Sequence, residues 1–327
     1  MRQIRYLQAL AEALNQEMQN DPNVFVIGED VRQGIRGVTK GLYEQYGSDR
    51  VIDAPISEAG FTGFATGAAM SGMRPVVEYQ INEFVFVAFD QLIDQAQKFR
   101  HMLGGQVEVP VTFIIPCSGA RKGLAGQHSD HPYPYVLHGG MKVVIPSSPY
   151  DAKGLFAAAI RDDDPVMVFA PAVIAGIRGE VPEEPYTIQL GCGEVKRVGT
   201  DVTVIAVGHL VLKALEAARV LEAEGISVEV LDPRTLLPLD RSILFNSVAK
   251  TGRVVVFDDS NRTCGFASEV AAILVEECFG YLKAPVKRVT RADVPVPFSA
   301  PLEAYVLPSV ERLVCAVRGT VRSGGQD

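Results

Sequence analysis

The chain has 327 residues, 47% hydrophobic and 21% charged, which is enough for two ordinary domains with full cores and too apolar for a disordered or fibrous protein. Its 31 basic residues against 39 acidic ones give a net charge of -8 with no basic run, which argues against nucleic acid as a partner. The amphipathic start is broken by Glu12, Asn15, Gln16 and Glu17 and lacks a signal-peptide core, no window approaches the roughly 20 apolar residues of a spanning helix, and the five scattered cysteines suggest neither disulfides nor zinc, so a cytoplasmic setting is expected.

In chain order, β-branched runs alternate with helical periodicity, the pattern of a parallel sheet covered on both faces. A helix over 6–19, a strand over 24–27, a helix over 60–71 and a strand over 76–79 open the chain. A helix over 85–99, strands over 111–115 and 142–145, a helix over 149–159 and a strand over 166–169 complete the first alternation. The polar stretch 179–186 reads as a linker, because Pro182 and Pro185 restrict both themselves and the residues before them. A second alternation follows, with strands over 202–207, 227–231 and 253–258 and helices over 211–224 and 266–279, and 323–327 read as a frayed tail. The expected fold is therefore α/β, in two successive domains spanning 1–185 and 186–327.

Common cofactor fingerprints are missing: there is no Walker loop, no G-x-G-x-x-G after a strand, no H-E-x-x-H and no G-x-S-x-G. The informative segment is Asp53-Ala54-Pro55-Ile56-Ser57-Glu58-Ala59-Gly60-Phe61, followed by a Gly/Ala-rich stretch and Met73-Arg74-Pro75-Val76. A turn at Pro55 would hold the Glu58 carboxylate at a buried helix start. Spacing alone leaves open that Glu58 is a capping acid, Phe84 ordinary core, Glu29 a solvated acid and His128 a structural histidine. It also leaves 159–165 open as an acidic helix-to-strand turn.

Ile56-Ser57-Glu58-Ala59-Gly60-Phe61 with the small-residue helix and Arg74-Pro75 resembles the beta subunits of pyruvate, branched-chain 2-oxo acid and acetoin dehydrogenases, thiamine diphosphate enzymes of the transketolase-like superfamily. The likeness continues in order through Gly28-Glu29-Asp30, Phe89-Asp90-Gln91, Gln127-His128-Ser129, 149–155, 159–162, Leu231-Asp232-Pro233-Arg234-Thr235, Lys250-Thr251-Gly252-Arg253 and 265–269. It implies an N-terminal pyrimidine-binding domain and a C-terminal transketolase-like domain concerned with subunit association. It also implies that Glu58 contacts the pyrimidine ring nitrogen, Phe84 packs on that ring, Glu29 lies near the cofactor and His128 meets the substrate. A carboxyl group facing that nitrogen favours the imino tautomer, whose nitrogen is basic enough to take the thiazolium proton, and burial would keep the acid protonated when needed. His138 also falls on a family histidine position. The same resemblance implies potassium held mostly through backbone oxygens at Val111, Ala159, Ile160, Asp162 and Asp164, although relatives often have Asn where this chain has Asp164.

The family binds magnesium and diphosphate through a Gly-Asp-Gly that this sequence lacks. The resemblance thus implies an alpha subunit that holds magnesium, an alpha2beta2 heterotetramer, and acyl transfer to a lipoyl or other acyl carrier thiol. Departures gather at Arg121, Lys122 and His131, where a basic pair and an extra histidine suit a phosphorylated or hydroxylated substrate. They keep a second reading in play, transfer of a two-carbon ketol unit from a sugar phosphate to a carrier protein. A third, a non-catalytic scaffold for an alpha subunit, gives no reason to keep Glu58, Phe84 and His128 together. The segment Asp258-Asp259-Ser260-Asn261-Arg262 also departs from relatives, and no catalytic role is assigned to it.

Overall fold

The computed structural model of the chain describes residues 2–121 and 123–323. Lys122 and the tail residues 324–327 lie outside the described residues. The chain forms two compact units, one of residues 1–121 and 127–190, the other of residues 122–126 and 191–327.

The first unit contains β1 (Arg2–Arg5), α1 (Tyr6–Asn20), β2 (Val24–Gly28), α2 (Leu42–Tyr46), β3 (Val51–Asp53), α3 (Glu58–Met70), β4 (Arg74–Glu78), α4 (Gln97–Met102), β5 (Thr112–Ser118), α5 (Tyr133–His138), β6 (Lys142–Val144), α6 (Pro149–Arg161), β7 (Val166–Pro171) and β8 (Arg178–Val181). Strands β6, β7, β5, β4, β2 and β3 lie side by side in that order, every pair parallel. β2 and β7 are buried at every position, as strands covered on both faces must be. Tyr6, Leu10, Leu14 and Met18 of α1 share one core with Leu155, Phe156 and Ile160 of α6. The apolar residues of α1 recur every three or four positions, and that spacing gathers them onto the buried face.

Two segments differ from the sequence reading. The stretch read as a helix over 85–99 is a 3-10 turn (Asn82–Phe86), a π-helical turn (Asp90–Ala96) and then α4. The run Phe84-Val85-Phe86-Val87 is poor in helix formers, and Asn82 and Glu83 bond elsewhere. The stretch read as a linker begins as strand: β8 pairs antiparallel with β1, Arg2 opposite Val181 and Arg5 opposite Arg178. Beyond it, the buried Lys153 of α6 ties the chain down. Its ammonium donates to Glu12 and to the carbonyl oxygens of Pro182, Glu183 and Glu184 at 2.8, 2.9 and 3.0 Å. The prolines remove amide donors without removing acceptors, so a buried cation can hold such a segment by its carbonyls.

The second unit contains β9 (Glu194–Arg197), β10 (Val202–Ala206), α7 (Leu210–Glu222), β11 (Val228–Asp232), β12 (Thr235–Leu237), α8 (Arg241–Thr251), β13 (Val254–Asn261), α9 (Phe266–Cys278), β14 (Lys287–Arg291), α10 (Ala300–Val306) and α11 (Val310–Ser323). Its five-stranded sheet runs β14, β13, β10, β11, β9, parallel except for the antiparallel edge strand β9. Leu210, Ala214, Ala218 and Leu221 of α7 and Leu313 and Val317 of α11 bury one core with Val204, Val230 and Val255. The buried Glu229 of β11 is satisfied by Ser247 and Lys250 of α8. Both units are thus α/β layers, as the alternation predicts.

Replacing Lys153 by Ala leaves Glu12 and three carbonyls facing a space only 1% exposed. Breaking a buried charged cluster from one side costs about 3–5 kcal/mol, so urea denaturation of Lys153→Ala should show a midpoint lowered by that amount of stability. An unchanged midpoint would mean that the clamp contributes nothing.

Candidate active site at the carboxyl edge of the first sheet

β2 leads to β3 on one side, whereas β4 leads to β5 on the other, so the chain reverses direction across the sheet between β2 and β4. In open parallel sheets the crevice at such a reversal, outside the carboxyl ends of the strands, is where ligands bind. Parallel register sets Gly28 against both Asp53 and Glu78, and Glu78 against Ile114. A β-carbon on Gly28 would lie 2.4 Å from the Glu78 carbonyl oxygen, which is why the strand ends in glycine just before Glu29.

Glu58 is the first residue of α3 and only 6% exposed. Among the described residues no backbone N–H donates to its carboxyl, so it does not act as a capping acid. Its neighbour is the carboxyl of Glu29. Burial, then the charge and hydrogen bonding of Glu58, push the Glu29 carboxyl above the usual carboxylate range. The Glu29 Oε1 is buried with no hydrogen-bond partner, an acceptor waiting for a donor. Gly63 lets α3 approach the Gln91 side chain, whose Oε1 would lie 2.7 Å from an added β-carbon. The Thr62 and Tyr79 hydroxyls share a hydrogen bond of 2.5 Å, and Tyr79 stacks between Phe61 and Phe113 to wall the acids on one side.

Phe84 and His128 meet edge-on with ring centroids 5.9 Å apart. Their partnership is fixed by residues that the sequence reading passed over. The Gly119 N–H donates to Asn82 Oδ1 at 2.9 Å, the Asn82 amide donates to the Asp130 carbonyl oxygen, and the Asp130 N–H donates to Glu83. Asn82 and Glu83, immediately before Phe84, therefore hold both ends of the loop that carries His128. The only sequence signal is a polar pair set between Ile81 and Phe84. His131 is not at the surface of this site: it is buried against Tyr133, and a β-carbon on Gly119 would lie 1.9 Å from its ring. His138 ends α5 in an exposed position.

The residues proposed for potassium form a separate cluster. The Val111 carbonyl accepts from the Val166 N–H at 3.1 Å, and that of Ala159 from the Asp162 N–H at 3.2 Å and the Thr112 hydroxyl at 3.0 Å. One guanidinium nitrogen of Arg74 donates to the carbonyls of Ile160 and Asp162 at 3.3 and 3.1 Å. The Asp164 carboxylate lies between Arg100 at 2.6 Å and Lys142 at 3.0 Å. Burial opposes its charge, but these two cations hold its carboxyl below the usual range. The oxygens fit a monovalent cation only in part, since both acceptor sites of Ala159 are taken and positive side chains already face those of Ile160, Asp162 and Asp164. Among the described residues no group of three or more His, Cys, Asp or Glu side chains is placed to hold a metal ion.

Comparison with known proteins gives two family matches, "Transketolase, pyrimidine binding domain" over residues 2–173 and "Transketolase, C-terminal domain" over residues 191–313. The chain is 46% identical over 321 residues to the acetoin:2,6-dichlorophenolindophenol oxidoreductase subunit beta of Bacillus subtilis, covering 94% of each. It is 43% identical over 318 residues to the mitochondrial pyruvate dehydrogenase E1 component subunit beta-2 of Oryza sativa, covering 95% of this chain and 84% of that one. Among solved structures, a split-gene transketolase described as an inactive beta4 tetramer superposes with a TM-score of 0.81 at 25% identity, over 98% of this chain and 99% of that one.

A third acid at this edge supplies a test. Glu78 is 1% exposed, neither of its carboxyl oxygens is hydrogen-bonded, and burial, only partly offset by Arg36, pushes its pKa up to about 8. The folded chain thus keeps a proton there that the unfolded chain gives up near pH 4.5, so stability is full below that value and falls as pH rises towards 8, at about 1.4 kcal/mol per unit. Glu78→Gln should flatten this part of a plot of unfolding free energy against pH. Parallel curves for the two proteins would show that Glu78 titrates normally.

Proposed function

The chain belongs to the transketolase-like family, as a beta subunit of the thiamine diphosphate-dependent 2-oxo acid dehydrogenase type, and we propose that Glu58, Glu29, Phe84 and His128 form the pyrimidine half of an active site completed by an alpha subunit. The observation that carries this reading is the carboxyl pair at the reversal between β2 and β4, with Glu58 buried and free of any capping role and one buried Glu29 oxygen lacking a donor. An aminopyrimidine offers a ring nitrogen to a carboxyl proton and an amino group to an unsatisfied oxygen, and this donor set fits it.

When bound, thiamine diphosphate supplies the electron sink for decarboxylating a 2-oxo acid. Glu58 holds a proton against the pyrimidine nitrogen. Glu29, whose own carboxyl resists ionisation, keeps a second negative charge from building up beside it. Phe84 packs on the ring and orients His128 towards the substrate carboxylate. The acyl unit then passes to a lipoyl carrier in its disulfide form, which is the two-electron oxidant: one sulfur takes the acyl group and the other is released as a thiol.

Several features support an alpha partner. The sequence holds no Gly-Asp-Gly to bind magnesium and diphosphate, so both belong on the alpha chain. α3, which begins with Glu58, leaves Gly60 and Gly67 exposed and Phe64 56% exposed, an apolar face against which a second chain can pack in an alpha2beta2 heterotetramer. Potassium at the Arg74 cluster would be structural, drawing on the remaining lone pairs of the Val111, Ile160 and Asp162 carbonyls. No helix among the described residues is long and apolar enough to cross a membrane. Five free thiols support a reducing compartment, the cytoplasm.

With the alpha subunit present, Glu58→Gln and Glu58→Ala should lower turnover at least about a hundredfold, the span of a general acid-base group, while the melting curve stays intact. Near-normal rates in either variant would remove Glu58 from the mechanism. Thiamine diphosphate titrated into the purified beta chain alone should bind poorly with or without magnesium, and tight magnesium-dependent binding would refute the division between chains.

A further inference from the structure

Two arginines stand at the same strand edge and have no role in the reading so far. Arg36 lies in the loop after β2, and Arg121 follows the turn at Gly119 that ends β5; both are half-buried. The Arg36 Nε donates to Gln80 Oε1 at 2.6 Å, and Gln80 Nε2 donates to the carbonyl oxygen of Glu29, also at 2.6 Å. Arg36 is thus anchored by a neutral amide that is itself tied to the backbone of Glu29. It also reaches the thiol of Cys117, the penultimate residue of β5, and Arg121 acts on the same thiol. Two positive charges therefore converge on one half-buried side chain.

Neither charge is neutralised locally. Among the described residues no carboxylate lies within ion-pairing distance of either guanidinium. Burial pushes the Cys117 thiol up in spite of both arginines, so it stays uncharged. The acid that faces Arg36 is Glu78, which is also largely protonated at neutral pH. Holding two guanidinium groups partly out of water without a counter-charge is unfavourable, and the planar fork of arginine matches the oxygens of phosphate and carboxylate.

We propose that Arg36 and Arg121 form an anion subsite that takes a second negatively charged group, phosphate or carboxylate, of the donor substrate, beyond the carbonyl that reacts beside His128. This rests on the assignment of Glu58, Phe84 and His128 to the active site, and it adds a substrate class: 2-oxo acids or ketoses with an anionic far end. Phosphate and carboxylate share the recognition chemistry, so the test separates them.

Calorimetric titration of the complex of this chain with its alpha subunit, using inorganic phosphate and, separately, malonate, reads the subsite without turnover. At least one probe should bind, and Arg36→Gln/Arg121→Gln should weaken it at least about tenfold, with Arg→Lys at both positions losing less. The probe that is lost names the group. Arg121→Gln alone, at the looser of the two positions, serves if the double variant fails to assemble. Rates with pyruvate, 2-oxoglutarate and xylulose 5-phosphate complete the test: the ratio of kcat/KM for a doubly anionic donor over pyruvate should fall at least about tenfold in the variant. Unchanged probe affinity in the variants, or no binding of either probe to the wild type at tens of millimolar, would overturn the proposal. Probe binding that depends on the arginines in a complex that turns over no donor would sink the proposed function and leave the subsite standing.

Discussion

The parallel pairing of β2 with β4 is the constraint on which the candidate site depends. It sets Gly28 against Glu78 and delivers Glu29, Tyr79 and Gln80 to one point at the carboxyl edge, while β3 and the Pro55 turn bring α3 to the same place with Glu58 at its first position. A slip of one residue in that pairing would turn each of these side chains to the opposite face. The close approach at Gly28 guards the register, because the strands meet there with no room for a β-carbon.

That geometry concentrates carboxyl groups where water is scarce. Glu29 and Glu78 hold their protons more tightly than usual because burial disfavours their charged forms. Acids whose ionisation is disfavoured by burial, set beside a third, are a poor arrangement for stability alone, since apolar side chains of similar volume would fill the same space without needing partners. The arrangement makes sense where a proton must be held against a ring nitrogen, and where the cations on the other side of Gln80 must remain free to meet an anion. Structural and chemical demands diverge here, and the residues follow the chemistry.

The layers of both units were legible in the sequence because buried parallel strands are short β-branched runs and their covering helices are amphipathic. The pairs β1–β8 and β11–β9 belong to edges, whose mixed polar residues carry no such signature, and the tether at Lys153 joins residues far apart in sequence, so 179–186 reads locally as a free linker. Glu58, Phe84 and His128 enter the proposed site through motif register alone, whereas the approach of Glu58 to Glu29 had no sequence signal, because nothing local pairs two acids on separate connections. Asn82 and Glu83 escaped for the same reason: their partners lie on the loop after β5, and a polar pair before an aromatic run reads locally as a helix start.

The proposed function asks this chain for only half a site. On that reading each acid or ring gathered here addresses a flat, uncharged aminopyrimidine, and the exposed glycines and Phe64 of α3 leave an apolar surface on the helix that begins with Glu58. The positive feature proposed here, Arg36 with Arg121, is joined to the backbone of Glu29 through Arg36 and Gln80. The Gln80 amide oxygen accepts from the Arg36 Nε and its nitrogen donates to the backbone carbonyl oxygen of Glu29, so the guanidinium is held without a counter-charge and the Glu29 carboxyl is left untouched. Gln80 thus anchors Arg36 beside the Glu29 backbone without neutralising it, and the proposed anion subsite needs that charge. A carboxylate at position 80 would neutralise Arg36, and an apolar residue would leave the guanidinium and the Glu29 carbonyl without this partner.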